Sequence, residues 1–311
     1  MTRVLVTGGA GTVGAAVVRR LLRDPDYEVR VSDQRAAPGW MREGCEVHRG
    51  DLRVLGEARK AFAGCAHVIH LAAIVEGLSN PHTLTEVNNA LSNAVFRAAL
   101  DEDVARFVYV SSSTVYERAH EFPTPEHHVF DCPPPRSAYG FSKLTGEAYC
   151  RAAHAEHGLP YTICRPFNAY GPGATDDAVI PDLLRKSLAG DTPLAIYGSG
   201  AQTRTFTHLD DVADGIVCAM ASPAAAGEAF NVAWHEETSI AELARICWEA
   251  CGNDPEALEL APEPSPKEID PDRRWASVEK ARELLGWEAK VAPREGVAET
   301  AEWLRATEVA V

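Results

Sequence analysis

The feature that most constrains the fold is a glycine loop set between a short β-branched run and a helical stretch. Thr7-Gly8-Gly9-Ala10-Gly11-Thr12-Val13-Gly14 follows Val4-Leu5-Val6 and opens the segment from Val13 to Arg23. Gly8 suits a tight turn, Gly11 lets a pyrophosphate approach the backbone, and Gly14 lets the helix pack close to the sheet. A phosphate placed there meets unpaired N–H groups and the positive end of a helix dipole. Glycines also serve ordinary turns, so it is the strand, loop and helix order that gives the motif its meaning.

Around the loop, strand-like runs (Val4 to Thr7, Glu28 to Ser32, Val68 to Leu71, Phe107 to Ser111, Tyr161 to Arg165) alternate with helical stretches (Val13 to Arg23, Leu52 to Ala63, Thr83 to Asp101, Ser142 to His157). Such alternation predicts a parallel sheet covered on both faces. Residues 1–167 therefore read as a Rossmann-type, doubly wound α/β domain. Beyond Pro166 the chain is richer in Gly and Pro, as in Tyr170-Gly171-Pro172-Gly173 and Tyr197-Gly198-Ser199-Gly200. Residues 168–311 are expected to form a smaller α/β substrate-binding domain, with segments such as 205–234 packing back on the first. Ser239 and Glu242 make a capping box for a helix from Ile240 to Cys251. A Pro- and acid-rich surface stretch from Pro255 to Pro271 precedes helices around Val278 to Leu285 and Val297 to Ala306.

Composition removes several classes of function. The 311 residues carry a formal charge of −15, which disfavours nucleic-acid backbones as partners. Met1-Thr2-Arg3 runs straight into strand-like sequence, and no window approaches the roughly 20 apolar residues of a membrane helix. Eight cysteines stand without CxxC or zinc spacing, so no metal site is expected, and reduced thiols in a cytoplasmic protein are. Cys247 and Cys251 share a helix face, which points to packing.

Asp33, at the end of the second strand and about twenty residues beyond the loop, suits the adenosine ribose hydroxyls and would repel a 2′-phosphate. Arg35 is the counter-signal for NADP, and the balance favours NAD. Asp51 and Leu52 in Gly50-Asp51-Leu52, and Leu71, Ala72 and Ala73 in His70-Leu71-Ala72-Ala73, follow later strands and face the same edge.

Tyr139 and Lys143, four apart at a helix start, form the first candidate for chemistry. A tyrosine of pKa about 10 is a poor base at neutral pH unless an ammonium stabilises its phenolate. Val110-Ser111-Ser112-Ser113-Thr114-Val115-Tyr116 closes the preceding strand and offers hydroxyls to orient a substrate oxygen, Ser112 being the best placed.

In their order, TGGAGTVG, GDL, HLAA, VSSSTVY, YGFSK, RPFNAYGPG and RTFTHLDDVA cover nearly the whole chain. The chain resembles the extended short-chain dehydrogenase/reductases of the NAD-dependent sugar-nucleotide epimerase/dehydratase type. The resemblance implies Ser112, Tyr139 and Lys143 as catalytic residues and a cofactor site of Gly8, Gly11, Thr12, Val13, Gly14, Asp33, Asp51, Leu52, Leu71, Ala72, Ala73, Tyr139, Lys143 and Pro166. It implies a nucleotide-sugar site of Ser112, Ser113, Tyr139, Asn168, Arg204 and Arg274, the two guanidinium groups matching a diphosphate. It also implies a homodimer through the helices 83–101 and 142–157. The chain departs from the family pattern at Thr12, Glu117, Ser199 and Thr205, where an aromatic, a glycine, an aspartate and an acidic residue are usual.

Family members share an oxidation at the sugar C4, and the fate of the resulting ketose depends on additional groups. Dehydratases of this kind carry an Asp-Glu pair after the catalytic hydroxyl, and decarboxylases a Glu. This chain has Ser113 and Thr114, neither of them an acid. A UDP-sugar 4-epimerase working through a transient 4-keto sugar is the expectation, with glucose/galactose, N-acetyl and glucuronate forms open. The alternatives are another 4-keto sugar-nucleotide enzyme (dehydratase, decarboxylase or reductase) and, more distantly, a non-catalytic NAD(P)-binding regulatory protein.

Overall fold

The computed structural model describes residues 1–75, 80–174, 178–265 and 271–308. Its centre is a seven-stranded parallel sheet. The strands are β1 (Thr2–Thr7), β2 (Tyr27–Ser32), β3 (Glu46–His48), β4 (His67–His70), β5 (Arg106–Val110), β6 (Tyr161–Pro166) and, from much later in the chain, Ala229–Val232. Their spatial order is β3-β2-β1-β4-β5-β6-(Ala229–Val232). The order reverses between β1 and β4, the crevice where such sheets bind nucleotides beyond their carboxyl ends.

Alternation along each strand distributes apolar side chains to two cores. Val4, Val6, Ile69, Val108 and Val110 point to one face, covered by α1 (Thr12–Leu22), α2 (Gly39–Gly44), α7 (Leu209–Ala221) and α9 (Glu279–Leu285). Leu5, Val68, Phe107 and Tyr109 point to the other, covered by α3 (Leu55–Phe62), α4 (Pro81–Asp101) and α5 (Ala138–His157). Both faces are apolar because both are buried, which is why these strands read as continuous β-branched runs. Segment 205–234 returns to this sheet, since α7 packs on α1 and Ala229–Val232 adds a strand beside β6.

A further core lies apart from the sheet. In it α6 (Val179–Ala189), α8 (Ile240–Ala250) and α10 (Pro293–Glu308) enclose Leu183, Leu184, Ile196, Phe206, Leu243, Cys247 and Leu304. Ser239 Oγ accepts the N–H of Glu242 at 3.1 Å, the expected cap of α8. Cys247 is buried in this core and Cys251 Sγ lies 3.7 Å from the Leu184 carbonyl oxygen, so the pair serves packing. Within the stretch 255–271, Leu260–Glu263 pairs in parallel with Leu194–Tyr197, and residues 266–270 lie outside the described ones. No described helix is long and apolar enough to cross a membrane.

Candidate functional site

The glycine loop leaves the carboxyl end of β1 at the topological switch. Gly8 has φ +68°, and a Cβ there would lie 2.8 Å from the Ala72 nitrogen, so the loop touches the chain leaving β4. A Cβ on Gly14 would run into the Gly8 carbonyl oxygen and lie 2.8 Å from Gly9 Cα, so only glycine lets α1 start this close to the turn. Gly11 is the N-cap of α1 and supplies no side-chain cap, leaving Thr12, Val13 and Gly14 as the first turn, whose N–H groups lack helical partners. Thr12 Oγ1 reaches the Gly173 carbonyl at 3.4 Å, tying this turn to the loop that follows Tyr170.

Asp33 stands at the same edge. Its Oδ2 accepts the Ala10 N–H at 3.0 Å, and its Oδ1 accepts the Arg35 N–H at 2.9 Å. The exposed Arg35 guanidinium folds back on the carboxylate at 3.3 Å. Asp51 accepts from Arg53 N, Nε and Nη2, and this pairing, against some desolvation, holds its carboxyl below the usual range. Leu52 is buried, whereas Leu71, Ala72 and Ala73 are half-buried beside the glycine loop, and Pro166 ends β6. The cradle formed by Gly8 and Gly14, the open helix end and the carboxylate of Asp33 together fit a dinucleotide.

Beneath the loop, Thr7 Oγ1 accepts the N–H groups of Leu71 and Ala72, each at 3.2 Å. Its hydroxyl proton is thereby directed to His70 Nδ1, 2.7 Å away. Fully buried between Phe107 and Tyr109, with the Lys143 charge nearby, His70 is pushed down to about 3 and stays neutral. Asn88 of α4 holds the next segment: its Oδ1 accepts Ile74 N–H at 2.8 Å, and its Nδ2 donates to Ile74 O and Ser142 Oγ.

Tyr139 and Lys143 lie in the first turns of α5. The sequence placed that helix from Ser142, but it begins at Ala138, where Ser137 Oγ caps the Gly140 N–H at 3.2 Å. Lys143 is 5% exposed, with Nζ 5.8 Å from the Tyr139 ring centroid and donating to Val110 O at 2.8 Å. Burial brings its pKa down to about 8, against the opposing pull of Glu147, so the ammonium form still prevails at neutral pH. Ser112 follows two residues after Val110, at the cap of the turn Ser113–Tyr116, and its Oγ accepts the Thr114 N–H at 3.2 Å. Ser113, the first residue of that turn, is buried.

Below Lys143 runs a buried polar network that the sequence reading missed. Glu147, one helical turn on, receives Nε and Nη2 of Arg165 at 2.8 and 2.7 Å. Burial alone would raise its pKa, but the charge and hydrogen bonds of Arg165, joined by the charge of Arg151, hold the group below the ordinary carboxylate range. Arg165 Nη1 donates to the Tyr116 hydroxyl and to Glu126 O, and Tyr116 donates to Asn231 Oδ1. A glutamate on the same stripe as Lys143, facing an otherwise apolar sheet, was the available signal.

Three of the expected substrate residues, Asn168, Arg204 and Arg274, lie on or beside one short strand, Thr203–Arg204. Asn168 has φ +34°, a left-handed conformation asparagine tolerates, and its Nδ2 donates to Thr205 O at 2.7 Å. Arg274 is the parallel ladder partner of Arg204, which brings the two arginines side by side. Its neighbour Arg273 forms a surface ion pair, with Nε 2.9 Å from Glu237 Oε2. A cleft of about 540 Å³ opens at the opposite edge of the sheet, between Arg20, Tyr27, Asp214 and Trp287, and holds none of these residues.

The sequence profile of the NAD dependent epimerase/dehydratase family matches residues 4–233. A UDP-glucose 4-epimerase of Mycolicibacterium smegmatis is 31% identical, over 97% of this chain and 98% of its own. UDP-glucuronic acid decarboxylase 1 of Xenopus tropicalis is 29% identical, over 97% of this chain and 72% of its own. The crystal structure of the UDP-glucuronic acid 4-epimerase of Bacillus cereus, in complex with UDP-glucuronic acid and NAD, superposes with a TM-score of 0.87. That structure is 26% identical, covering 98% of this chain and all of its own. With the sheet, the glycine cradle and the profile in agreement, the chain belongs to the NAD-dependent epimerase/dehydratase family of extended short-chain dehydrogenases/reductases.

Proposed function

We propose that the protein is a UDP-sugar 4-epimerase that works through a transient 4-keto sugar and returns the hydride to the carbon it left. The observation that carries this reading is the absence of an acid beside Ser112, where Ser113 and Thr114 supply only hydroxyls. Carboxylates on the adjoining elements are engaged elsewhere: Glu117 with Arg136 and Ser137 N–H groups, Glu147 with Arg165, and Glu126 with Asn231 N–H. No group on these elements is then placed to expel water from the sugar, and return of the hydride is the simplest fate of the ketose.

Gly8, Gly11, Thr12, Val13 and Gly14 would hold the cofactor diphosphate, and Asp33 its adenosine ribose, with Asp51, Leu52, Leu71, Ala72, Ala73 and Pro166 along the same edge. Bound NAD supplies a hydride acceptor and donor. Lys143 keeps the Tyr139 phenolate accessible at neutral pH, and Tyr139 takes the proton of the sugar hydroxyl and returns it. Ser112, with Ser113 beside it, orients that oxygen. Asn168, Arg204 and Arg274 would grip the nucleotide diphosphate, because paired guanidinium forks match its oxygens. On the same reading the enzyme is a cytosolic homodimer joined through α4 and α5, whose Phe141 and Tyr149 remain exposed along one helix face.

The test is incubation of the purified protein with a panel of UDP-, GDP- and dTDP-sugars, with products identified by NMR. A 4-epimer formed without net reduction of NAD supports the reading. Stoichiometric NADH, loss of carbon dioxide or loss of water overturns it in favour of dehydrogenase, decarboxylase or dehydratase chemistry. Tyr139→Phe should lower turnover roughly 10²–10⁴-fold, the usual worth of a positioned acid–base group.

A further inference from the structure

Glu117 ends the turn that carries Ser112, and its buried side chain reaches the segment that begins the Tyr139 helix. Its Oε1 accepts the Arg136 N–H at 2.6 Å and its Oε2 accepts the Ser137 N–H at 3.1 Å, with the residue 6% exposed. A buried carboxylate is costly unless its oxygens are hydrogen-bonded, and here each oxygen has a backbone donor next to the positive end of α5. Ser137 in turn caps α5 through Gly140 N–H. A Cβ on Gly140 would lie 2.9 Å from Thr114 O and 2.8 Å from Pro135 Cβ, so the first turn of α5 lies directly on the Ser112 turn. The two segments that bear the reacting groups thus meet at one contact, and one carboxylate spans it.

We propose that Glu117 is a positioning residue that fixes Tyr139 relative to Ser112. It does so by holding the Arg136-Ser137 backbone against the end of the Ser113–Tyr116 turn. The proposal rests on the assignment of Ser112 and Tyr139 as the catalytic pair. Glu117 touches no reacting atom in this role, so its removal acts on the rate of the chemical step and spares binding of the nucleotide sugar and of the cofactor.

The experiment uses full-length Glu117→Gln and Glu117→Gly proteins with bound NAD. Backbone amide exchange is followed over residues 133–141, and turnover is measured on whichever nucleotide sugar the unaltered enzyme converts. Exchange at Arg136 and Ser137 should quicken, and kcat should fall roughly ten- to a hundredfold, the cost of a misplacement of about an ångström. KM and the bound NAD content should stay within about twofold. Sodium acetate, but not sodium chloride at equal ionic strength, should restore part of the rate and of the protection in Glu117→Gly by refilling the carboxylate position. A kcat near that of the unaltered enzyme, or a loss that only follows the fraction of folded protein, overturns the proposal. If the unaltered enzyme converts no nucleotide sugar, the functional reading fails separately. Unchanged exchange at Arg136 and Ser137 would still overturn the contact itself.

Discussion

Arg165 on β6 and Glu147 on α5 form a two-pronged ion pair in which both side chains are fully buried, the guanidinium meeting the carboxylate oxygens at 2.8 and 2.7 Å. Glu147 follows Lys143 by one helical turn, so the pair links the sheet to the helix that carries the candidate base and its ammonium partner. Removing Glu147 leaves the Arg165 guanidinium desolvated without its counterpart, and removing Arg165 leaves the buried carboxylate only the partly exposed Arg151 as an ion-pair partner, at 3.1 Å. Glu147→Gln and Arg165→Met should each cost about 3–5 kcal/mol of stability. The double variant Glu147→Gln/Arg165→Met should lose less than the sum of the two. Urea unfolding of the three variants reads both quantities, and strictly additive losses would show that the pair is not coupled.

The glycine cradle gives a sharper contrast between positions. At Gly14 an added methyl meets the Gly8 carbonyl and the Gly9 backbone, neither of which has a flexible end that gives way. At Gly39, the first residue of α2, an added methyl meets nothing within 4 Å. Gly14→Ala should therefore destabilise by roughly 1–3 kcal/mol, the cost of overpacking, and release NAD. Gly39→Ala should be neutral or stabilise by a few tenths to about 1 kcal/mol, because the unfolded chain loses freedom. Thermal melts with and without added NAD distinguish the two, and an unperturbed cofactor content in Gly14→Ala would contradict the cradle geometry.

Much of the sheet was legible because its strands are buried on both faces and read as runs, with boundaries within a residue or two. The sequence reading gives no bounds for β3 or for the seventh strand, Ala229–Val232, nor for the helices α2, α6 and α7; in β3 Glu46 and Val47 are exposed and His48 half-buried, so no alternating apolar signal exists. The start of α5 was read late because Gly140 and the preceding prolines look like loop, whereas Ser137 caps a helix that already includes Tyr139. At the site, Ser112, Tyr139 and Lys143 carry local motifs. Glu147, Arg165, Tyr116 and Asn231 come from four different elements, and buried charge has no sequence period. Only the i, i+4 relation of Glu147 to Lys143 was there to be seen.

His70 supplies a prediction whose sign is set by burial. In the folded protein its pKa is about 3, with Thr7 donating to Nδ1, the rings of Phe107 and Tyr109 around it and the Lys143 charge nearby. Unfolded, it returns to about 6.5. Between those values the unfolded chain binds a proton that the native protein refuses, so acidification through this window favours unfolding. At saturation the effect is about 1.4 kcal/mol per pH unit. Replacing the ring by a side chain that accepts from Thr7 but does not titrate, as in His70→Asn, removes the slope and keeps an acceptor. The comparison belongs between pH 6.5 and 5, above the range where most carboxylates titrate. The other ten histidines contribute equally to both proteins and cancel in the difference. Urea midpoints at pH 6.5, 6.0, 5.5 and 5.0 should fall more steeply for the parent than for His70→Asn, even if the variant is less stable throughout. Parallel lines would mean that His70 takes up its proton in the native state, and that the floor of the proposed cofactor site is wetter and more polar than its packing implies.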